Sequence, residues 1–195
     1  MGQSATLYRI DKNDISKIDG NPKKVNLFEL TKGYESYSKS FDGLIFVLSK
    51  NLNQPNIELI QQIFYPKTFF GERPDFSNID FDNLPDNFDF ELDTLPYNAP
   101  NIVSEVSSLL ESIKICLLLK RTIFGGAYIS TTNFCENFNH IELNKNNVYP
   151  GDIWNDKKEE NAAFNVRHMS SEFEKIKAFY KEVKEAEDYL LIYIG

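Results

Sequence analysis

The sequence predicts an α+β fold: a single compact domain over residues 1–195, with a small mixed sheet whose C-terminal strand is central and with helices packed on it. Three observations carry that expectation. The closing run "YLLIYI" is apolar at consecutive positions, the pattern of a strand buried on both faces. Before it, Ala162, Val166, Met169, Phe173, Ile176, Tyr180 and Val183 recur in alternating steps of four and three, which draws one apolar stripe along a helix. The opening "SATLYRI" reads as a strand with Leu7 and Arg9 on the face opposite Tyr8. A chain of 195 residues with 42% hydrophobic content buries one sizeable core, and neither an internal repeat nor a linker divides it.

Taken in order, the first strand forms an edge of the fold and ends at "DKND". There Asp11 can accept from a first-turn amide and Asp14 adds negative charge to a short helix reaching about Asp19. "NPKK" after Gly20 is a turn by composition. Phe41, Leu44, Ile45 and Leu48 share one helical face, and Ile57, Ile60 and Phe64 repeat that spacing in a short element that Pro66 ends. Residues 74–100 break the pattern with seven acidic residues, no basic ones, four of the eight prolines and five aromatics. That is an acidic, Pro- and aromatic-rich loop insert, expected to lie on the surface with some aromatics docked, or to grip a basic partner. Val103, Val106, Leu109, Leu110, Ile113 and Leu117 line the next helix, which stops before the paired glycines Gly125 and Gly126. "AYISTTNFCENFNHIEL" fits strand, loop or short helix. On the C-terminal helix, Glu174, Lys175, Lys177, Lys181 and Glu182 take the wet side.

Charge and composition exclude several classes of function. A formal charge of −8 and a pI near 4.9 oppose a phosphate-gripping surface, so no nucleic-acid partner is expected. A basic protein partner suits that charge, and plain solubility explains it equally. The apolar stretch at residues 115–119 is far short of the roughly 20 that cross a bilayer, so no membrane span is expected. "MGQSAT" fits the myristoylation pattern at Gly2 with Thr6 at the hydroxyl position, while the same residues fit the first strand. No secretory leader is apparent, and Cys116 and Cys135 read as free thiols, Cys116 inside the apolar "IKICLLLK". A reducing, cytoplasmic location follows.

Catalytic signatures are missing. Two histidines and two cysteines, none in paired spacing, do not make a zinc site. The chain has no nucleophile elbow, phosphate loop or dinucleotide fingerprint, so no cofactor, metal or catalytic residue is assigned. A Cys135–His140 nucleophilic pair can be drawn, but a loop histidine beside a buried or half-buried thiol explains the spacing without chemistry. His168 reads as solvent-facing or as a hydrogen bonder on the helix surface.

Several segments together resemble the YfbM-like family, domain of unknown function 1877. They are "LYRID", "YSKSFDGLIFVL", "FFGE", "YNAPNIVSEVSSLLESI", "VYPGDIW" and "FEKIKAFYKEVKEAEDYLLIYI", in that order over residues 1–194. Phe41 stands where the family more often has tryptophan, residues 74–96 are longer than the family loops, and "ISTTNFCENFNH" has no counterpart in the resemblance. The resemblance implies a compact α+β fold, a bacterial cytoplasm and a family without an established activity.

Within the resemblance, "NNVYPGDIWND" holds the only tryptophan. Pro150 biases Tyr149 toward extended backbone, and Gly151 turns the chain so that Trp154 is presented from a bend. Buried, the indole would lock the loop to the core. As a site, Trp154 and Tyr149 would offer stacking faces, with Asp152, Lys39, Asp42 and Arg9 as polar contacts. The function expected is a non-catalytic binding or protein-interaction protein, of immunity type in its most specific form. The alternatives are a small-molecule-binding or hydrolase-like protein with a cleft near Trp154, and a structural subunit of a homo-oligomer.

Overall fold

The computed structural model describes residues 2–19, 22, 25–71, 94–115 and 133–195. Most of the acidic insert, Leu117, the paired glycines and Cys116 lie outside the described residues. The elements are β1 (Ser4–Ile10), α1 (Ile15–Asp19), α2 (Leu27–Leu30), β2 (Thr31–Ser38), α3 (Phe41–Ser49), α4 (Gln54–Gln61), β3 (Thr68–Phe70), β4 (Leu95–Asn98), α5 (Pro100–Ser112), α6 (Phe134–Asn137), α7 (His140–Lys145), α8 (Val166–Ala186) and β5 (Tyr189–Ile194).

The strands form one five-stranded sheet in the order β2-β1-β5-β4-β3. The fold is α+β with the C-terminal strand in the middle, as the apolar run predicts. Leu190 and Ile192 of β5 enter the larger core, and Leu191 enters a smaller cluster on the other face. Among the described residues every strand pairing in the sheet is antiparallel, so the sheet described is not mixed. A run apolar on both faces marks double-sided burial, which covering elements on each face supply here without a parallel neighbour. Nor is β1 an edge, since it pairs with β2 on one side and β5 on the other. Its side chains divide as expected, Leu7 to the larger core and Tyr8 to the smaller cluster.

The larger core lies between the sheet and α3, α4, α5 and α8. Asn165 starts α8 by accepting from the His168 amide at 2.9 Å, and Met169, Phe173, Ile176, Tyr180 and Val183 are buried along the predicted stripe. Val166 is exposed because it stands in the first turn, before the stripe meets the core. Lys177 leaves the wet side: its ammonium donates to the carbonyls of Glu111 at 3.3 Å and Ile113 at 3.1 Å, where the negative end of α5 favours a cation. Asn53 caps α4 through the Asn56 amide at 3.1 Å, which starts this helix before Ile57.

The strands β2, β3 and β4 have no counterpart among the sequence expectations. Leu95–Asn98 falls within the stretch read as irregular loop, yet it pairs with the central strand through Tyr97 and Asn98. Cys135 is disulfide-bonded rather than a free thiol. A chain with two cysteines lacks a disulfide framework but has enough sulfur for a single bridge, and the reducing compartment inferred from free thiols loses that support. Among the described residues, no helix is long and apolar enough to cross a membrane.

Candidate functional site

The loop after α7 holds Trp154 as an internal lock. Its backbone reverses through Asn147 at φ 49°, a cis Tyr149–Pro150 peptide and Gly151 at φ 85°. The indole that this presents is 2% exposed, and its Nε1 donates to the Val148 carbonyl at 2.9 Å. Asn144 clamps the same residue, its Nδ2 donating to the Trp154 carbonyl at 2.9 Å. The ring meets Phe164 edge-on at 5.6 Å and lies over Gly43 of α3, where a Cβ would stand 2.2 Å from its Cη2.

Tyr149, Asp42, Lys39 and Arg9, grouped with Trp154, are likewise engaged within the fold, and they are not all together. Tyr149 packs its ring 6.1 Å from that of Phe41, and its hydroxyl accepts from the Gln3 amide at 2.7 Å. Asp42 accepts from the Tyr65 hydroxyl at 2.8 Å, and burial, aided by that carboxylate, raises the Tyr65 pKa. Lys39, at φ 59°, donates its amide to the Gln3 carbonyl at 3.1 Å and lays its side chain against Gly2. Asp152 is exposed on the bend.

Arg9 is at the other end of β1, paired across the ladder with Gly33 and Leu190, whereas Ser4 at the near end pairs with Ser38. Its Nε bonds Asp188 at 2.6 Å and its Nη1 forms an ion pair with Glu182, tying the end of α8 to the sheet. The Asp188 hydrogen bond is the main reason its pKa is raised. The structure therefore places Lys39, Asp42 and Tyr149 around the start of α3, with Trp154 beneath that helix and Arg9 apart from them.

Of two further polar residues, His168 takes the second of its two expected roles, a hydrogen bonder on the helix, and Cys135 departs from expectation. His168 is half-buried, with Nδ1 accepting from the Phe164 amide at 3.2 Å, and burial lowers its pKa. The disulfide at Cys135 removes the thiol that a Cys135–His140 pair would use. Among the described residues, no group of three or more His, Cys, Asp or Glu side chains is placed to hold a metal ion.

The surface with unspent contact area lies across the sheet from α8. Phe28 is 65% exposed, Tyr34 53% and Tyr193 55%. Tyr8 sits among them, its ring 5.5 Å from Phe28 and 6.1 Å from Tyr34, and the hydroxyls of Thr6 and Ser36 join 2.9 Å apart nearby. Tyr193 belongs to the run expected to be buried throughout. Its alternation puts it on the thinly covered face, past the reach of the smaller cluster. Beside it a cleft of about 710 Å³ runs between β4 and the end of β5, with Leu27, Phe64 and Tyr65 among its walls. Sequence reading missed this surface because scattered tyrosines carry no helical or apolar periodicity. The available signal was the alternation of Tyr34, Ser36 and Ser38.

A five-stranded antiparallel sheet with α8 and α5 on one face, closed by a C-terminal central strand, defines the class: an α+β protein of the YfbM fold. The chain is similar to the crystal structure of YfbM from Escherichia coli, a protein of unknown function, with a TM-score of 0.55 and 16% identity over 98% of this chain and 99% of that one. At that identity the likeness is one of fold. Residues 127–193 match the family model described as Domain of unknown function (DUF1877). The YfbM-like, DUF1877 resemblance read from the sequence is thereby shown, and the matched segment includes "ISTTNFCENFNH", the stretch without a counterpart in that reading. No curated protein matches the chain.

Proposed function

We propose that this is a non-catalytic binding protein that engages a basic protein partner through the aromatic face of its sheet. The observation that supports the reading is the exposure of Phe28, Tyr34 and Tyr193 on one face. Aromatic side chains offer large contact area at little conformational cost and are enriched in protein interfaces. The net charge of −8 favours a partner of opposite sign and speeds its approach. An immunity-type role, neutralising a basic toxin, is the narrowest form of this reading. Its test is co-purification from the native host with the wild type and a Phe28→Ser/Tyr34→Ser double variant, in low and high salt. A partner retained by the wild type in low salt and lost with the variant, at matched melting temperatures, is the expected result. Equal retention by both proteins would refute the aromatic face as the contact.

A further inference from the structure

Among the described residues, strand β5 is fully paired along one edge only. On that edge it meets β1 from Tyr189 opposite Ile10 to Ile194 opposite Ala5, and Ser4 and Gly195 close the ladder with mutual hydrogen bonds of 2.8 and 3.0 Å. Antiparallel ladders alternate, so residues 189, 191, 193 and 195 turn their backbone groups to β1. Leu190, Ile192 and Ile194 turn theirs to the opposite edge. There β4 pairs only with Leu190 and Leu191, through Asn98 and Tyr97.

The next residue of β4 to face β5 is Pro96. Lacking an amide hydrogen, it cannot donate to the Ile192 carbonyl, and the ladder stops. Among the described residues, nothing in β4 pairs with Ile194. The sheet splits at this point into the 710 Å³ cleft, with Leu95 and Pro96 on one side and Ile192 and Ile194 on the other. Its described lining carries no charged side chain. Phe64 continues it into the larger core and Leu27 into the smaller cluster, so both faces of the gap are apolar.

We propose that this cleft takes an extended segment of the partner as an added strand along the open edge of β5. The segment's backbone bonds to the Ile192 carbonyl and to the amide and carbonyl of Ile194, as in strand addition elsewhere. Because both faces are apolar, the segment is a run of about four consecutive apolar residues, matching the length of the open edge at ~3.3 Å per residue. Lysine or arginine borders that run, since a chain whose overall charge is −8 attracts a segment of opposite sign. The inference rests on the protein-binding reading and narrows it to a place and a kind of segment.

The test uses the full chain and three synthetic peptides. The first is Lys-Lys-Val-Ile-Phe-Val-Lys-Lys, the second is the same peptide with alternate backbone amides N-methylated, and the third replaces lysine by aspartate. Fluorescence anisotropy is expected to show binding of the first and a loss on the order of tenfold or more for each of the others. Amide spectra of the ¹⁵N-labelled protein are expected to shift at Ile194 and Ile192. Ile194→Pro, which removes the outward-facing amide together with a side chain packed against the larger core, is expected to abolish binding. Should that variant misfold, the methylated peptide and the amide shifts decide the matter.

Failure of the first peptide to bind, equal affinity for the methylated form, or shifts confined to another surface would each overturn the proposal. So would a stable dimer in light scattering with the Ile194 amide protected, since a second copy would then hold the edge. If strand addition fails while capture still depends on Phe28 and Tyr34, only the present inference falls. Peptide binding with capture insensitive to those residues would sink the aromatic-face reading alone.

Discussion

Gly43 is where one helix admits the indole of another segment. A Cβ there would stand 2.2 Å from Trp154, so Gly43→Ala sets a steric clash against the better helix propensity of alanine. The clash wins, with an expected net loss of about 1–3 kcal/mol in urea denaturation followed by Trp154 fluorescence. His168 gives stability a direction in pH. Burial lowers its pKa from the ordinary 6.5, with the Glu172 carboxylate opposing and the Lys175 ammonium assisting. As pH falls, the unfolded chain takes up the proton first. The contribution is therefore complete above 6.5 and is lost as pH drops through the depressed folded value. The urea midpoint is expected to fall more for the wild type than for His168→Gln between about pH 8 and about pH 5. Single residues were legible where one physical fact dominated: a lone tryptophan after a Tyr-Pro-Gly bend had a core to meet. Arg9 was grouped by recurrence in a resemblance, and no spacing rule could reveal that Asp188 and Glu182 would hold it at the far end of β1.

Among the elements, α8 depends on the residue just before it. Asn165 is 2% exposed, caps the helix through the His168 amide, and donates from Nδ2 to the carbonyls of Lys157 at 2.8 Å and Ala162 at 3.0 Å. Asn165→Ala removes all three bonds, and a loss of roughly 2 kcal/mol is expected in thermal or urea unfolding. At the far end Glu187 adopts φ 56°, a left-handed conformation that glycine accepts more readily. Glu187→Gly is accordingly expected to raise the melting temperature. Helices were the most legible elements because periodicity repeats over several turns. The strands β2 and β4 escaped for different reasons. In β2 only Tyr37 is buried, so an edge strand of polar residues shows little apolar alternation. In β4 a proline and an asparagine disguise a short interior strand, and Pro96 is also the residue at which its ladder ends.

For the molecule as a whole, the central strands β1 and β5 each contribute to both apolar clusters. Leu191 belongs to the smaller one and Trp154 to the larger. Leu191→Ala is expected to cost about 3 kcal/mol, and to lower the unfolding midpoint seen by Trp154 fluorescence as much as that seen by circular dichroism. Separate midpoints would mean that the sheet does not join its faces into one cooperative unit. The architecture was legible because "YLLIYI" has no polar position to turn outward until Tyr193. What was not legible was how thinly the second face is covered, since that depends on where α1 and α2 stop. The central place of β5 also fixes an order of events during synthesis. Its neighbour β1 pairs early with β2, but its other edge must wait for residues 179 to 191 positions later, from Ile10 meeting Tyr189 to Ser4 meeting Gly195. Contacts so distant in sequence make folding slow and leave that strand edge open on the ribosome, the kind of surface a chaperone covers, until β5 is made.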